Sequence, residues 1–344
     1  VMDLRHTLTP KSMRGQGVAE KLCAAAFAHA KEQSCVVVPS CTYIAERYVP
    51  AHKELDHLVL RRHERKDGVT LFVDRRGVAT ILLDDEPKRN PLSVSVLRRL
   101  EDLLSQCEAA AGRVQEGGGR EAQEVSVVLL AARGPVFSSG HNMSDFLGLD
   151  EEGATAVLDL CARVNMKFKE LPQPTIALVD GLATAGGCQL ACSCDIVLAS
   201  ERAKFLLPGV RDRFFCHTPA VALADRVGTR KAFEMTILST EVSAAEALGM
   251  GLANRVFPVD SFAREVESIV GRLATFGQRP NHMGTGKRVF YEQVEQPTLE
   301  QKYAVALPVM ANMMASPLWQ RHSRRFFEKR AARKQEKAAR SKAV

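Results

Sequence analysis

At 344 residues, 46% hydrophobic and 25% charged, the chain is long enough for two domains and apolar enough for a large core, which excludes a low-complexity or disordered class. The net charge is +7, but residues 321–344 carry ten Lys/Arg against two Glu, a local +8 that leaves the rest at −1; a basic tail on a neutral body argues against nucleic-acid binding by that body. The nine cysteines lack metal-ligand spacing, so reduced buried thiols and no metal site are expected, and no apolar run approaches the ~20 residues of a membrane span.

The first residue is Val, and no targeting segment is visible; an intracellular location is expected, with a mitochondrial one open. Residues 1–60 differ in character from the remainder of the chain. Met2–Thr9 suits a strand, Lys11–Ala19 a glycine-rich turn, Ala19–Glu32 a helix, and Cys35–Val38 a short strand ending at Pro39. Strand, glycine-rich loop, helix and strand form a phosphate-cradle layout. Arg14, Gly15, Gln16, Gly17, Val18 and Ala19 resemble the R/Q-x-x-G-x-G/A motif with which GCN5-related N-acetyltransferases seat the acetyl-CoA pyrophosphate. The run from Pro39 through Tyr48 resembles the smallest members of that family. The strands that family places before the motif are missing, so the resemblance implies a partial acetyltransferase-like β-α-β segment, a remnant or fragment rather than a complete acetyltransferase.

His52–Gly68 is charged and heterogeneous, and residues 61–68 read as a linker into a body over 69–320, with 321–344 as a basic tail. Thr70–Val73 and Val78–Leu83 flank Arg75-Arg76-Gly77, a hairpin signal. Pro91 and Ser93 can open a helix whose apolar positions Val94, Leu97, Leu100, Leu103 and Leu104 keep helical spacing. Arg113–Glu124 reads as a polar loop, Val125–Ala131 as a buried strand, and Asp150–Glu170 as a helix; helices dominate after Thr218. Gly134–Asp145 is a loop after a strand, with Phe137 as its last apolar anchor.

The most informative stretch runs from Pro174 to Cys216. Thr175–Val179 is a β-branched and apolar strand, Gly186-Gly187 a turn, and Cys188–Cys194 a short helix. A strand entering a helix through Gly-Gly leaves backbone N–H groups pointed outward, where they stabilise an oxygen that becomes negative. From residue chemistry alone this is an anion or oxyanion cradle. The order of the whole stretch resembles the central P-x-I-A-x-V-x-G-x-A-x-G-G-G-x-E-L-A-x-x-C-D-I motif of the crotonase (enoyl-CoA hydratase/isomerase) superfamily. The C-Q-L, S-C-D-I, P-G-V and F-C-x-T-P elements are similar to a divergent branch of it, the enoyl-CoA hydratase domain-containing 3 branch.

The resemblance implies an α/β crotonase-like ββα spiral with a helical C-terminal region. It implies that the backbone N–H groups of His141 and Gly186 form the oxyanion pair for a thioester carbonyl, with Ser139, Gly140 and Gly187 lining the site. It also implies that Lys88 and Arg89 reach the CoA phosphates, the alternative being a solvated charged loop. Lys287 lies where the family often supplies a cation to a neighbouring subunit's CoA. Two departures stand beside the match: Gln189 replaces the first catalytic glutamate and Gly209 the second. Glutamine exchanges no proton near neutral pH, and glycine has no side chain. Candidate substitutes are Asp145, Asp212, Cys216 and His217, with Arg211 and Arg213 expected to lower the Asp212 pKa and weaken it as a base. The His141 imidazole can face solvent, contact CoA or carry a proton, and Asp195 is expected to be structural.

The resulting expectation is a protein that binds acyl-CoA thioesters as substrate and stabilises an enolate, with catalytic His141, Gly186 and Gln189 and no bound cofactor. The alternative is a non-catalytic acyl-CoA-binding module. A homotrimer or hexamer is expected, with Val305, Val309 and Met313 on an apolar helix face. Nucleic acid is not an expected partner.

Overall fold

A computed structural model describes residues 2–4, 7, 9–10, 13, 15–32, 37–39, 41–111, 125–277 and 282–342, in two compact units, 1–281 and 282–344. In the first unit the chain opens with β1 (Met2–Asp3), α1 (Val18–Glu32) and β2 (Val37–Val38), then a π-turn leading into α2 (Val49–Ala51). β3 (Leu60–Lys66), β4 (Val69–Asp74) and β5 (Val78–Leu83) form an antiparallel meander. β6 (Pro91–Leu92), α3 (Val94–Ala109), β7 (Val127–Ala132), β8 (Val136–Ser138), β9 (Gly140–His141) and α4 (Glu151–Glu170) come after it. Next come β10 (Thr175–Val179), β11 (Leu182–Thr184), α5 (Gly186–Ser193), β12 (Ile196–Ser200), β13 (Lys204–Leu206), α6 (His217–Val227) and α7 (Thr229–Leu238). β14 (Val242–Ser243), α8 (Ala244–Gly249), β15 (Arg255–Phe257) and α9 (Val259–Gly277) complete the unit.

A seven-stranded sheet runs in the order β15-β12-β10-β7-β5-β4-β3, parallel from β15 to β5, and a four-stranded sheet in the order β14-β13-β11-β8. The two-residue side-chain period divides each parallel strand between two cores. Val128, Leu130, Ala177, Val179, Val197 and Ala199 face the main core with α3, α4 and α5. Val127, Leu129, Ile176 and Leu198 face Val266, Val270 and Ala274 of α9. Burial on both faces is why these strands read as continuous apolar runs. Helix ends obey the sequence signals: Ser93 and Asp150 cap α3 and α4 by accepting from Val96 N and Gly153 N.

Three expectations change. Residues 61–68 are not a linker: Leu60–Lys66 is the outer strand of the large sheet. Its charges belong to an edge, where they discourage further pairing. Glu64 meets Arg99 at 2.7 Å, and Arg65 meets Asp84 at 3.3 Å. Residues 1–60 join the body where Val37 N–H donates to Leu58 O and Val37 pairs with Val59 next to β3. Cys23, Phe27, Ile44, Tyr48 and Val59 share a small core of their own. Met2–Thr9 shortens to the two residues of β1, and Cys35–Val38 to β2 among the described residues. The third change is at the other end, where the body does not close at 320. The second unit holds α10 (His282–Val294), α11 (Leu299–Ala315) and α12 (Pro317–Lys342), and α12 runs through the expected boundary because its Ala, Lys, Arg and Glu are strong helix formers. Arg113–Glu124 lies outside the described residues.

Asn90 fixes the loops that build the site. It is buried with φ +51°, a left-handed conformation Asn tolerates better than most residues. Its Nδ2 donates to Arg133 O at 2.9 Å and Val136 O at 2.8 Å, and its Oδ1 accepts from Asp85 N at 2.9 Å. Ser138 Oγ donates to Asn90 O, and Ser139 N to Arg89 O. Asn90→Ala strands three partly buried polar partners, so a loss of about 1–3 kcal/mol is expected in chemical denaturation. A loss below about 0.5 kcal/mol would contradict this anchoring role.

Candidate active site

Two backbone segments meet where β9 and the start of α5 converge. A Cβ on Gly187 would lie 2.6 Å from both Cβ and O of Ser138, so only glycine permits the approach. One on Gly140, at φ +84°, would lie 3.1 Å from Gly186 N and 2.8 Å from the Ala185 Cβ. Ala185 itself sits at φ +48°, ψ −119°, a conformation that suits glycine. It stands where the crotonase motif has the first glycine of its G-G-G run, a third departure from the family's pattern. Gly140 leaves room for the Ala185 methyl group, so the exchange on one segment is accommodated by the other.

The junction floors a cleft of about 510 Å³ lined by Ser139, His141, Ala185 and Gly186 on one side and Asp212, Cys216 and His217 on the other. Met143, Phe146, Leu158, Phe214 and Phe215 supply apolar walls. The His141 ring packs edge-on to Phe146 at 5.8 Å, and its Nδ1 and Cε1 lie 3.4 Å from where a Cβ on Gly186 would stand. Its Nε2 is enclosed with no hydrogen-bond partner. Burial pushes the His141 pKa below the ordinary imidazole value, and the Asp145 charge pulls it partly back.

The predicted residues divide. His141, Gly186, Ser139, Asp212, Cys216 and His217 border the cleft, and buried Gly140 and Gly187 support its floor. Gln189 does not border it. One turn further along α5, Gln189 lines a separate cavity of about 290 Å³ between α4 and α6, beside Asn165 and Ser193, with its Oε1 enclosed and unpartnered. Thr218 borders both spaces. Asp145 is committed elsewhere: Oδ2 accepts from Val94 N at 2.8 Å at the start of α3, and Oδ1 from Asn142 Nδ2 at 2.9 Å. Asp195 is structural as expected, accepting from Thr175 N at 2.7 Å and Thr175 Oγ1 at 3.0 Å. Arg211 donates to Ser239 O, while Asp212 and His217 are exposed. His217 leans on Phe215 at 4.8 Å.

Lys88 and Arg89 are exposed on the loop joined to Ser139, and Lys88 pairs with Asp85 at 3.4 Å. Lys287 lies on α10 of the second unit. At the N-terminus, Gly15, Gln16 and Gly17 form a turn with φ +82° and +72° at the two glycines; Val18 and Ala19 open α1, and Arg14 lies outside the described residues.

The position of the second missing glutamate has an unexpected occupant. A Cβ on Gly209 would lie 2.8 Å from Cys216 Sγ, 3.0 Å from Cys216 N and 3.2 Å from Phe214 Cε2. Gly209 N–H donates to that sulfur at 3.3 Å, and burial holds the thiol above its usual pKa. The thiol fills the space in which a side chain at 209 would begin.

Fold, motif order and the convergence of the two glycine-bearing turns define a member of the crotonase class. A family model described as enoyl-CoA hydratase/isomerase matches residues 74–337, and the chain belongs to that family. A second model, GCN5-related N-acetyl-transferase, matches residues 1–58. Among curated relatives, the mitochondrial enoyl-CoA hydratase domain-containing protein 3 of Rattus norvegicus is 35% identical over 269 residues, 78% of this chain and 84% of the relative. That of Homo sapiens is 36% identical over 239 residues, 68% of this chain and 73% of the relative. The crystal structure of the human protein superposes with a TM-score of 0.67 at 32% identity, covering 76% of this chain and 98% of that one. A Mycobacterium smegmatis enoyl-CoA hydratase superposes with a TM-score of 0.69 at 33% identity, covering 77% and 97%.

The contact between Gly209 and Cys216 gives a double-mutant test. Gly209→Ala is expected to cost about 1–3 kcal/mol through overpacking. Cys216→Ala in the same chain should recover part of it, because it removes the sulfur the new methyl would strike while the backbone N of residue 216 stays close. Additive losses in thermal or chemical denaturation would contradict the packing.

Proposed function

We propose that the cleft binds an acyl-CoA or enoyl-CoA thioester with its carbonyl oxygen held by the backbone N–H groups of His141 and Gly186, and stabilises the enolate of that thioester. The observation that carries the reading is the approach of β9 to the N-terminus of α5 at the cleft floor, which places Gly186 N 3.1 Å from a Cβ position on Gly140. Two donors fixed before charge develops need no reorganisation, and removing one such donor typically costs about 10²–10³ in rate. Lys88 and Arg89 are proposed contacts for the CoA phosphates. Ordinary hydration of an enoyl thioester is not the activity proposed. It needs one proton removed from water and one delivered to carbon, each group contributing about 10²–10⁴. Gln189 borders another cavity, and Gly209 carries no side chain. The alternative, a binding module without turnover, shares the cleft and lacks the proton transfer.

Gly186→Pro tests the carbonyl site. Gly186 is the first residue of α5, where Pro is tolerated and its missing N–H is the one in question. Calorimetry with crotonyl-CoA should show binding to the wild type and a loss of at least tenfold in the variant, with circular dichroism unchanged. Loss of crotonyl-CoA absorbance with the wild type should be several orders of magnitude slower than for a hydratase with both glutamates. Equal affinity in the folded variant would overturn the carbonyl site.

The relatives named mitochondrial support a mitochondrial location for this protein too. We also propose assembly as a homotrimer, or as a hexamer of two trimers. Support comes from α11, where Leu299, Tyr303, Leu307, Met310 and Met314 leave one stripe exposed, while Val305, Val309 and Met313 are half-buried. Light scattering at micromolar concentration should give three or six chains, and a monomer would overturn the proposal.

A further inference from the structure

We propose that the imidazole of His141 is the base of this site, taking the α-proton of the bound acyl-CoA thioester at Nδ1 while the enolate oxygen rests on the backbone N–H groups of His141 and Gly186. The inference rests on the thioester-binding proposal and adds the group that moves the proton. In the step, the α C–H bond breaks and its electron pair forms the enolate double bond. The carbonyl π electrons move to oxygen, and the proton bonds to His141 Nδ1. Return of the proton regenerates the thioester, so no oxidant, reductant or second substrate is consumed.

Position is the first argument. The α carbon is bonded directly to the carbonyl carbon, so its hydrogens lie close to any carbonyl held at the cleft floor. The His141 ring lies over that floor, with Nδ1 3.4 Å from the Cβ position of Gly186. Oxyanion donor and base then sit at two ends of one residue, and β9 fixes both by pairing Leu92 with His141.

Surroundings are the second argument. Nε2 is enclosed without a hydrogen-bond partner, so Nδ1 is the nitrogen left for exchange with a ligand, and the step uses the neutral tautomer with its hydrogen on Nε2 and the lone pair on Nδ1. The charged or titratable groups around the ring are few. Asp145 lies on the same loop, and its carboxylate oxygens are taken by Val94 N and Asn142 Nδ2. Across the cleft stand Asp212, His217 and Cys216. β6 contributes Pro91 and Leu92, and α5 only the Cys188 and Cys192 thiols. Burial therefore favours the neutral imidazole, the form that accepts a proton, while Asp145 is near enough to favour the imidazolium as it forms. Asp212 and His217 are exposed, so solvent competes for any proton they exchange.

The probe is butyryl-CoA in deuterium oxide, a saturated thioester with nothing to hydrate. Mass spectrometry should show deuterium entering the α position in the presence of the wild type. His141→Gln keeps the backbone N–H and removes the base; exchange should fall at least 100-fold while calorimetric affinity for butyryl-CoA stays within about threefold. The wild-type profile needs no variant: exchange should be level at neutral pH and fall only on acidification below the ordinary imidazole value of about 6.5. That sign comes from burial, which holds the ring neutral to lower pH. Butyryl-CoA binding without wild-type exchange overturns this inference and leaves the binding reading standing. Exchange that survives His141→Gln, or that is lost instead in His217→Gln or Asp212→Asn, also overturns it. A folded wild type that does not bind butyryl-CoA overturns both.

Discussion

The cleft depends on two backbone segments coming closer than side chains normally allow. Gly187 faces Ser138 with no space for even a methyl group, and Gly140 faces Ala185 and Gly186 in the same way. That contact holds the start of α5 against β9 and gives the cleft its floor. Asn90 supports it from below with hydrogen bonds to the chain before and within β8 and to Asp85. The large sheet sets the distance over which these loops must meet, because β7 and β10 are paired in register beneath them. A fault in the glycine contact would leave the sheet intact and lose the site.

The family's two glutamate positions are Gln189, turned to a neighbouring cavity, and Gly209, closed by the Cys216 thiol. The second vacancy is not a simple truncation. The sulfur takes up the volume and accepts the Gly209 N–H, so putting a carboxylate back would require repacking of the 209–216 turn. Titratable side chains still reach the cleft, and among them His141 differs from Asp212 and His217 by its burial. A low-polarity wall favours the neutral form of an imidazole. This contrast in burial sets His141 apart from Asp212 and His217, which border the same cleft.

Residues 1–60 pose a different structural problem. Their helix and short strands surround a separate small core, yet Val37 and Val59 join them to the edge of the large sheet. The charged run from Leu60 to Lys66 is consequently a strand between two cores. Arg65 pairs with Asp84, just past the end of β5, and Glu64 with Arg99 on α3, which ties the edge down by ion pairs where a linker would leave it free.

Local rules in the sequence determined much of this. The apolar strands, the capped helices α3 and α4, the Gly-Gly entry to α5 and the order of motifs were legible because they depend on neighbouring residues, periodicity and φ/ψ preference. The crotonase fold and the pairing of His141 with Gly186 in one cleft could be anticipated from that order. Edge strand β3 was not legible, since its alternation is hidden by charges whose partners are distant in sequence. Nor was the commitment of Asp145 to the start of α3, the turning of Gln189 away from the cleft, or the seating of Cys216 Sγ in the space beside Gly209. Each of those is a question of which atoms already occupy a volume or a lone pair. Spacing along a chain does not carry that information; it exists only once distant segments have packed.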